Sequence, residues 1–334
     1  MRSRALLTVV DSHTEGMPTR VLTAGVPPLA GATMREKQAD FAANHDAARR
    51  LLMREPRGHR SMAGAVLTAP CDPEADFGLL FIEVWGFLPM CGHATIGAAT
   101  VVVETGLVPA LEPETEVVFD TPAGLVRTVV TVRDGRAVSV RLRNVPSFVL
   151  EAGITRAVDG LGDVTYDLAY GGNWYAVLDA ADVGLRVVPE QAPELLRAGM
   201  RIMRAVQALG HPVHPALGDV GPVAHVELVE RTEEGGRNAV AIDPGWLDRS
   251  PCGTGTSARV AQLAARGELG VGDTFVQRSL LDRTFTATIV AEADAGGVPA
   301  IVPEVEGSAW ISGLGQLVLD PTDPFPEGFL LDEG

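Results

Sequence analysis

Two stretches of the sequence carry the same residue types at the same spacing, and both begin with a cysteine. One reads Cys91-Gly-His-Ala-Thr-Ile-Gly-Ala-Ala-Thr-Val-Val-Val-Glu-Thr-Gly106. The other reads Cys252-Gly-Thr-Gly-Thr-Ser-Ala-Arg-Val-Ala-Gln-Leu-Ala-Ala-Arg-Gly267. Each has Gly directly after the Cys, Thr four residues on (Thr95, Thr256) and Gly fifteen on (Gly106, Gly267), with Pro89 or Pro251 shortly before. Such self-similarity suggests two halves of one architecture. A thiol with polar, Gly-rich flanks reads as reactive rather than as a small core residue. If two matching halves face each other, one thiolate can take the α-proton of an amino acid while the opposite thiol protonates the other face. The roles reverse for the other stereoisomer. That chemistry is racemisation or epimerisation without a cofactor.

The elements that must position these thiols follow from the same residues. Each Cys sits where a loop enters a helix, over 91–104 and 252–266, with Gly106 and Gly267 as the stops. A helix N-terminus offers unpaired N–H groups and a positive dipole end, which lower a thiol pKa and cradle a carboxylate. N–H groups aimed at that carboxylate would stabilise charge developing in an enolate-like transition state. Elsewhere, 5–10 reads as a buried strand ending in a polar turn over 11–16. Residues 33–54 and 193–209 read as helices, the second with Leu195, Leu196, Met200, Met203, Val206 and Leu209 on one stripe. Residues 77–84, 117–119, 125–132, 137–142, 223–230 and 238–242 read as strands, with Asp134-Gly135 as a hairpin turn. Many short strands with few helices argue an α+β fold rather than a doubly wound parallel sheet.

The chain has 334 residues, a length for about two domains, and Pro146 begins a stretch suited to a crossing between them. Its net charge of −16 argues against nucleic acid and anionic membranes as partners. The N-terminal apolar run is too short for a signal peptide, and no stretch is long and apolar enough to span a bilayer. A soluble cytoplasmic protein is expected. Three cysteines, odd in number and far apart, are not a disulfide framework. Cys71, in Ala-Pro-Cys-Asp-Pro, reads as an inert loop thiol. Lys37 is the one lysine, and its setting reads as a solvated helix start. That argues against pyridoxal phosphate, which racemases often hold on a lysine. His211 and His214 lack a third nearby ligand, so no metal is expected. His13 reads as a hydrogen-bond hub in the polar turn. His59 reads as a pocket or turn residue, and Arg57 as an ion-pair residue or a carboxylate clamp.

At the cysteine segments the sequence resembles the proline racemase family, within the diaminopimelate-epimerase-like fold. Pro89-Met-Cys-Gly-His-Ala-Thr-Ile-Gly97 and Asp248-Arg-Ser-Pro-Cys-Gly-Thr-Gly-Thr-Ser-Ala258 are similar to its two catalytic motifs. Asp11-Ser-His-Thr-Glu-Gly-Met-Pro-Thr-Arg20, Glu55-Pro-Arg-Gly-His59, Gly171-Gly-Asn-Trp-Tyr-Ala176 and Pro303-Glu-Val-Glu-Gly-Ser-Ala309 match as well. The resemblance implies two pseudo-symmetric subdomains, each a strand-rich sheet around a central helix. The first would span 1–148 plus 313–334 and carry Cys91; the second would span 149–312 and carry Cys252. It implies Cys91 and Cys252 as the acid/base pair and no cofactor. It places His93 and Asp248 at the substrate ring nitrogen, with backbone N–H groups of Gly92, His93, Gly253 and Thr254 at the carboxylate. A small amino acid is the implied partner, and the homodimer enters from the resemblance alone.

The family's main activities are proline racemase, 4-hydroxyproline 2-epimerase and trans-3-hydroxyproline dehydratase. Dehydratases carry Thr at the second cysteine position, so Cys252 argues against that activity. Proline racemases typically place bulky aromatics at the positions matching Ala63 and Ile242. The smaller residues here would enlarge the pocket and admit a hydroxylated ring, although Arg57-Gly-His59 and Ser61 resemble the other activities more. The expectation is a 4-hydroxyproline epimerase, with proline racemase as the alternative. Two rivals come from other classes: a dithiol redox protein using Cys91 and Cys252, and a non-catalytic amino-acid-binding protein. The first lacks Cys-x-x-Cys spacing, and the second has no need of an acid/base pair.

Overall fold

The structure is a computed structural model and describes residues 5–331. The chain divides into two compact units: one runs through Arg141 and resumes at Ser308, and the other spans Leu142–Gly307. Both boundaries lie a few residues earlier than expected from the sequence, and hydrogen bonding explains why. Asn144 N–H donates to Pro303 O at 2.9 Å and Ser147 pairs with Ile301, which ties 144–147 to the second unit. Ser308 Oγ donates to Val138 O at 2.9 Å, and Ala309–Leu319 pairs along its length with Ala5–Thr14, which ties 308–312 to the first.

In the first unit, Ala5–Thr14 turns back at Glu15-Gly16 into Met17–Ala24. Both turn residues have positive φ, 48° and 97°, as a tight hairpin requires. His13 therefore lies within the strand, stacked on Trp310 at 5.2 Å, and not in a polar turn. The chain then crosses over through α1 (Met34–Asp40), a π-helical turn over Phe41–His45, and α2 (Asp46–Met53), and returns as Ala63–Thr68, parallel to Met17–Ala24. A capping box between Thr33 and Glu36 fixes the start of α1. The expected single helix is thus widened in its middle, where Phe41 is fully buried edge-on to Phe87. Lys37 is buried and donates from Nζ to Ala69 O at 2.6 Å, so it is a satisfied interior cation and not a solvated residue.

Ala63–Thr68 pairs antiparallel with Phe77–Glu83. A second crossover, α3 (Gly92–Glu104), leads to Glu114–Thr121, parallel to Phe77–Glu83, and then to Gly124–Arg133. Asp134 and Gly135, with φ of 52° and 70°, form the expected turn before Arg136–Arg143. α3 touches Ala309–Leu319, Ala5–Thr14, Met17–Ala24 and Gly124–Arg133, strands from both ends of the sheet, so the curled sheet wraps it. Every residue from Gly92 to Val103 is buried. A helix enclosed on all sides needs apolar or small residues all round rather than one stripe, which is what Ala94, Gly97, Ala98, Ala99 and the valines supply.

The second unit repeats this succession. Gly162–Tyr170 pairs antiparallel with Phe148–Val158 on one side and Trp174–Asp179 on the other. α4 (Ala192–Gln207) crosses to His225–Thr232, parallel to Trp174–Asp179. Leu195, Ile202, Met203 and Val206 form its buried stripe, while Leu209 lies past its end and is exposed. Gly235–Ile242 follows antiparallel, then α5 (Gly253–Ala265), then Thr274–Arg278 parallel to Gly235–Ile242, then Thr284–Asp294 and Pro299–Gly307. α5 contacts strands from both ends of its sheet, as α3 does. Each unit is therefore an α+β sheet around a central helix. No described helix is long and apolar enough to cross a membrane.

Candidate active site

Cys91 occupies the N-cap position of α3 in extended backbone and is 6% exposed. Its carbonyl accepts from Thr95 N–H at 3.0 Å and from Thr95 Oγ1 at 2.8 Å, so the Thr four residues after the Cys locks the first turn. Its Sγ lies 3.3 Å from His93 Nδ1. His93 is buried, and Thr14 Oγ1 donates to its carbonyl at 2.7 Å. Gly92 and His93 open the helix, whose first-turn N–H groups point out along the axis. Ala63 starts its strand on a buried rung between Thr19 and Glu83. Gly97 lets α3 settle on the hairpin: a Cβ there would lie 3.1 Å from Ser12 Oγ and 3.2 Å from Thr19 Cβ.

Cys252 occupies the matching position on α5 and is 5% exposed. Its backbone differs from that of Cys91: φ is 62° and ψ is 103°, a region costly for a residue with a Cβ. The surroundings hold it there. Its N–H donates to Ser250 Oγ at 3.1 Å, and Ser250 donates from N and Oγ to Asp248 Oδ1 at 2.8 and 2.9 Å. Thr256 N–H donates to Cys252 O at 2.7 Å, and Thr256 Oγ1 donates to Pro251 O at 3.0 Å. Asp248 thus sits one serine away from Cys252. Gly253 and Thr254 form the first turn of α5 and are buried. Ile242 closes its strand on the rung beside His225 and is 3% exposed.

Three more residues surround this thiol. Tyr175 Oη lies 3.3 Å from Cys252 Sγ and 2.5 Å from Thr254 Oγ1. His225 stacks on the Tyr175 ring at 4.7 Å. Glu227, two residues along the same strand, accepts from Asn238 Nδ2 at 2.7 Å. Burial lowers the His225 pKa to about 4 and raises that of Glu227 to about 7. His225 is therefore neutral at neutral pH, while Glu227 is partly ionised there. The sequence reading assigned none of the three. Tyr175 lies inside the Gly171-Gly-Asn-Trp-Tyr-Ala176 motif, which was its one visible trace, whereas His225 and Glu227 reach the site only through strand pairing.

The helix N-terminus was expected to lower the thiol pKa. At Cys252 the opposite holds. Burial pushes the thiol well up, and the Asp248 and Glu227 charges add to it. The Tyr175 hydroxyl and the Gly255 N–H oppose them without prevailing. A dipole end is a modest effect beside full desolvation. Burial therefore favours the protonated thiol at Cys252.

The remaining candidates fall outside these two clusters. Arg57 forms an ion pair with Asp323 and donates from Nη1 to Phe325 O at 3.2 Å, the structural alternative of the two expected. His59 accepts from Met62 N–H at its carbonyl, at 2.8 Å, in the turn before Ala63. His214 packs among Phe148, Tyr170 and Trp174 and accepts from Ala216 N–H on Nδ1 at 3.1 Å. His211 lies on the exterior, 3.6 Å from Asp219. The Cys71 N–H donates to Asp120 Oδ2 at 2.8 Å. Among the described residues no group of three or more His, Cys, Asp or Glu is placed to hold a metal ion.

Comparison with known proteins fits this geometry. The proline racemase family model matches residues 9–330. A protein named 4-hydroxyproline 2-epimerase, from Streptosporangium roseum, is 51% identical over 99% of this chain and 100% of its own length. A proline racemase from Clostridioides difficile is 42% identical, with 99% and 100% covered. The crystal structure of a hydroxyproline epimerase from Agrobacterium vitis, with bound trans-4-hydroxy-L-proline, superposes with a TM-score of 0.95 at 34% identity, covering 100% of this chain and 98% of that one. Solved structures of much lower identity share the fold, which is the diaminopimelate-epimerase-like one. Matched by one family model and by relatives over almost its entire length, the chain belongs to the proline racemase family.

Proposed function

We propose that this chain is an isomerase that inverts Cα of 4-hydroxyproline, with Cys91 and Cys252 as a two-base pair. The observation that carries this reading is the placement of one buried thiol at the N-terminus of the central helix in each repeated unit. On this reading Cys91, beside His93, removes the α-proton, and Cys252, held protonated by burial, supplies the proton to the other face. For the opposite epimer the roles exchange. First-turn N–H groups of Gly92, His93, Gly253 and Thr254 take the substrate carboxylate. His93 and Asp248 take the ring nitrogen. The reaction so written needs no cofactor.

The substrate choice rests on the 51% identical relative named 4-hydroxyproline 2-epimerase and on Ala63 and Ile242, both smaller than an aromatic side chain. The proline racemase relative supports the second reading, the same mechanism on an unsubstituted ring. Proton NMR in D2O separates them. Loss of the α-proton signal with appearance of the epimer is expected from trans-4-hydroxy-L-proline. Preferential turnover of L-proline would favour the second reading, and no exchange with either would overturn both.

A further inference from the structure

The two thiols have different neighbours. Cys91 Sγ lies against the His93 imidazole, whereas Cys252 Sγ lies against a phenol. Beyond the phenol runs a chain with a fixed end. Asn173 Nδ2 donates to Thr254 Oγ1 at 3.3 Å, Thr254 Oγ1 lies 2.5 Å from Tyr175 Oη, and Tyr175 Oη lies 3.3 Å from Cys252 Sγ. An amide nitrogen can only donate, while each hydroxyl can both donate and accept. With Asn173 supplying one hydrogen, Thr254 can donate to Tyr175 and Tyr175 to the sulfur. When the sulfur carries its own proton, the two hydroxyls turn and S–H donates to Tyr175. Such a chain serves either protonation state without a heavy atom moving.

Tyr175 is rigidly set for this. It is fully buried, its ring stacks on His225 at 4.7 Å, and a Cβ on Gly255 would lie 3.3 Å from its Cε1 and 3.1 Å from Cys252 Sγ. Around the sulfur, Asp248 and Glu227 carry negative charge that opposes a thiolate, while Tyr175 and the Gly255 N–H favour one. His225, the imidazole behind the ring, is held neutral by burial and supplies no compensating charge.

We propose that Tyr175 is a positioning residue for Cys252: it hands the sulfur a hydrogen bond once Cys252 has given up its proton, through the chain Asn173–Thr254–Tyr175. This rests on the two-base reading for its catalytic meaning, but the hydrogen bond itself is testable without turnover. The full chain is prepared with Cys71→Ser and Cys91→Ser, leaving Cys252 as the sole thiol, and alkylation by iodoacetamide is followed against pH. Tyr175→Phe is expected to move the midpoint of that curve up by about one unit or more, a loss of about tenfold in thiolate at a fixed lower pH. In the Cys71→Ser, Cys252→Ser background, Tyr175→Phe should leave the Cys91 midpoint in place. An unmoved Cys252 midpoint, or equal movement at both thiols, would overturn the proposal. Should Tyr175→Phe fail to fold, Thr254→Val breaks the chain one step earlier and should move the Cys252 midpoint in the same direction. The D2O experiment on the unmodified chain separately decides the two-base reading.

Discussion

A Cβ placed on Gly171 would lie 2.1 Å from the carbonyl oxygen of Thr254 and 2.7 Å from the N–H nitrogen of Ala258. The strand turn therefore presses its bare backbone onto the first turns of α5, the helix that carries Cys252. Asn144 Nδ2 braces the contact by donating to both Gly171 O and Ser257 Oγ at 2.8 Å. Gly171→Ala is expected to push α5 outward and to cost roughly 1–3 kcal/mol, as overpacking does. Thermal denaturation checks the loss, and α-proton exchange should fall with it. A variant as stable and as active as the parent would show that this contact does not set the helix position.

Cys91→Ser and Cys252→Ser are each expected to slow epimerisation by about a hundredfold or more, the scale of a lost general acid or base. Oxygen replaces sulfur with little change in volume, so the thermal midpoint should hold. Full activity in either variant, measured by polarimetry under reducing conditions, would remove that thiol from the mechanism.

His225 and Glu227 give stability a pH signature through opposite shifts. Glu227 has a pKa of about 7 against an ordinary 4.5, so its contribution is full below 4.5 and lost as pH rises to 7. His225 has a pKa of about 4 against an ordinary 6.5, so its contribution is full above 6.5 and lost as pH falls to 4. Between 4.5 and 6.5 the two slopes cancel. Glu227→Gln keeps an acceptor for Asn238 and leaves His225 alone. Relative to the parent, its folding constant should then fall by about tenfold per unit as pH drops from 7 toward 4.5. His225→Gln should show the mirror image, weakening relative to the parent as pH rises from 4 to 6.5. Urea midpoints across this range read both, and curves parallel to the parent's would contradict the assignment.

Ile242→Phe places a bulky ring on the rung beside His225, near Tyr175. If ring size is sensed there, the ratio of kcat/KM for 4-hydroxyproline over proline should fall several-fold. An unchanged ratio would move the specificity determinant elsewhere.

What could be read in the sequence was local or repeated. The Cys-Gly repeats with their closing glycines revealed both central helices, because a helix start, a stop and an enclosed small-residue face are properties of consecutive residues. The hairpin at Asp134-Gly135 was visible for the same reason. The π-helical turn at Phe41–His45 was not, because one extra residue in a turn leaves the apolar pattern nearly intact. Lys37 looked solvated among charges, yet its aliphatic stem runs inward and Ala69 O meets its ammonium. The rise in the Cys252 pKa was also hidden. It comes first from a burial that only the assembled unit produces, and then from Asp248 and from Glu227, which strand pairing places nearby from a separate strand.

The central claim is that two different groups serve the two faces of Cα. Incubation of trans-4-hydroxy-L-proline with the enzyme in D2O, stopped after a small fraction has reacted, tests it most directly. The account predicts that the epimer carries deuterium at Cα while the unreacted substrate keeps its proton, because the thiol that protonates the product face draws its hydrogen from solvent. An epimer that retains the α-proton, or substrate that loses its proton as fast as epimer forms, would mean a single base serving both faces and would contradict the pairing of Cys91 with Cys252.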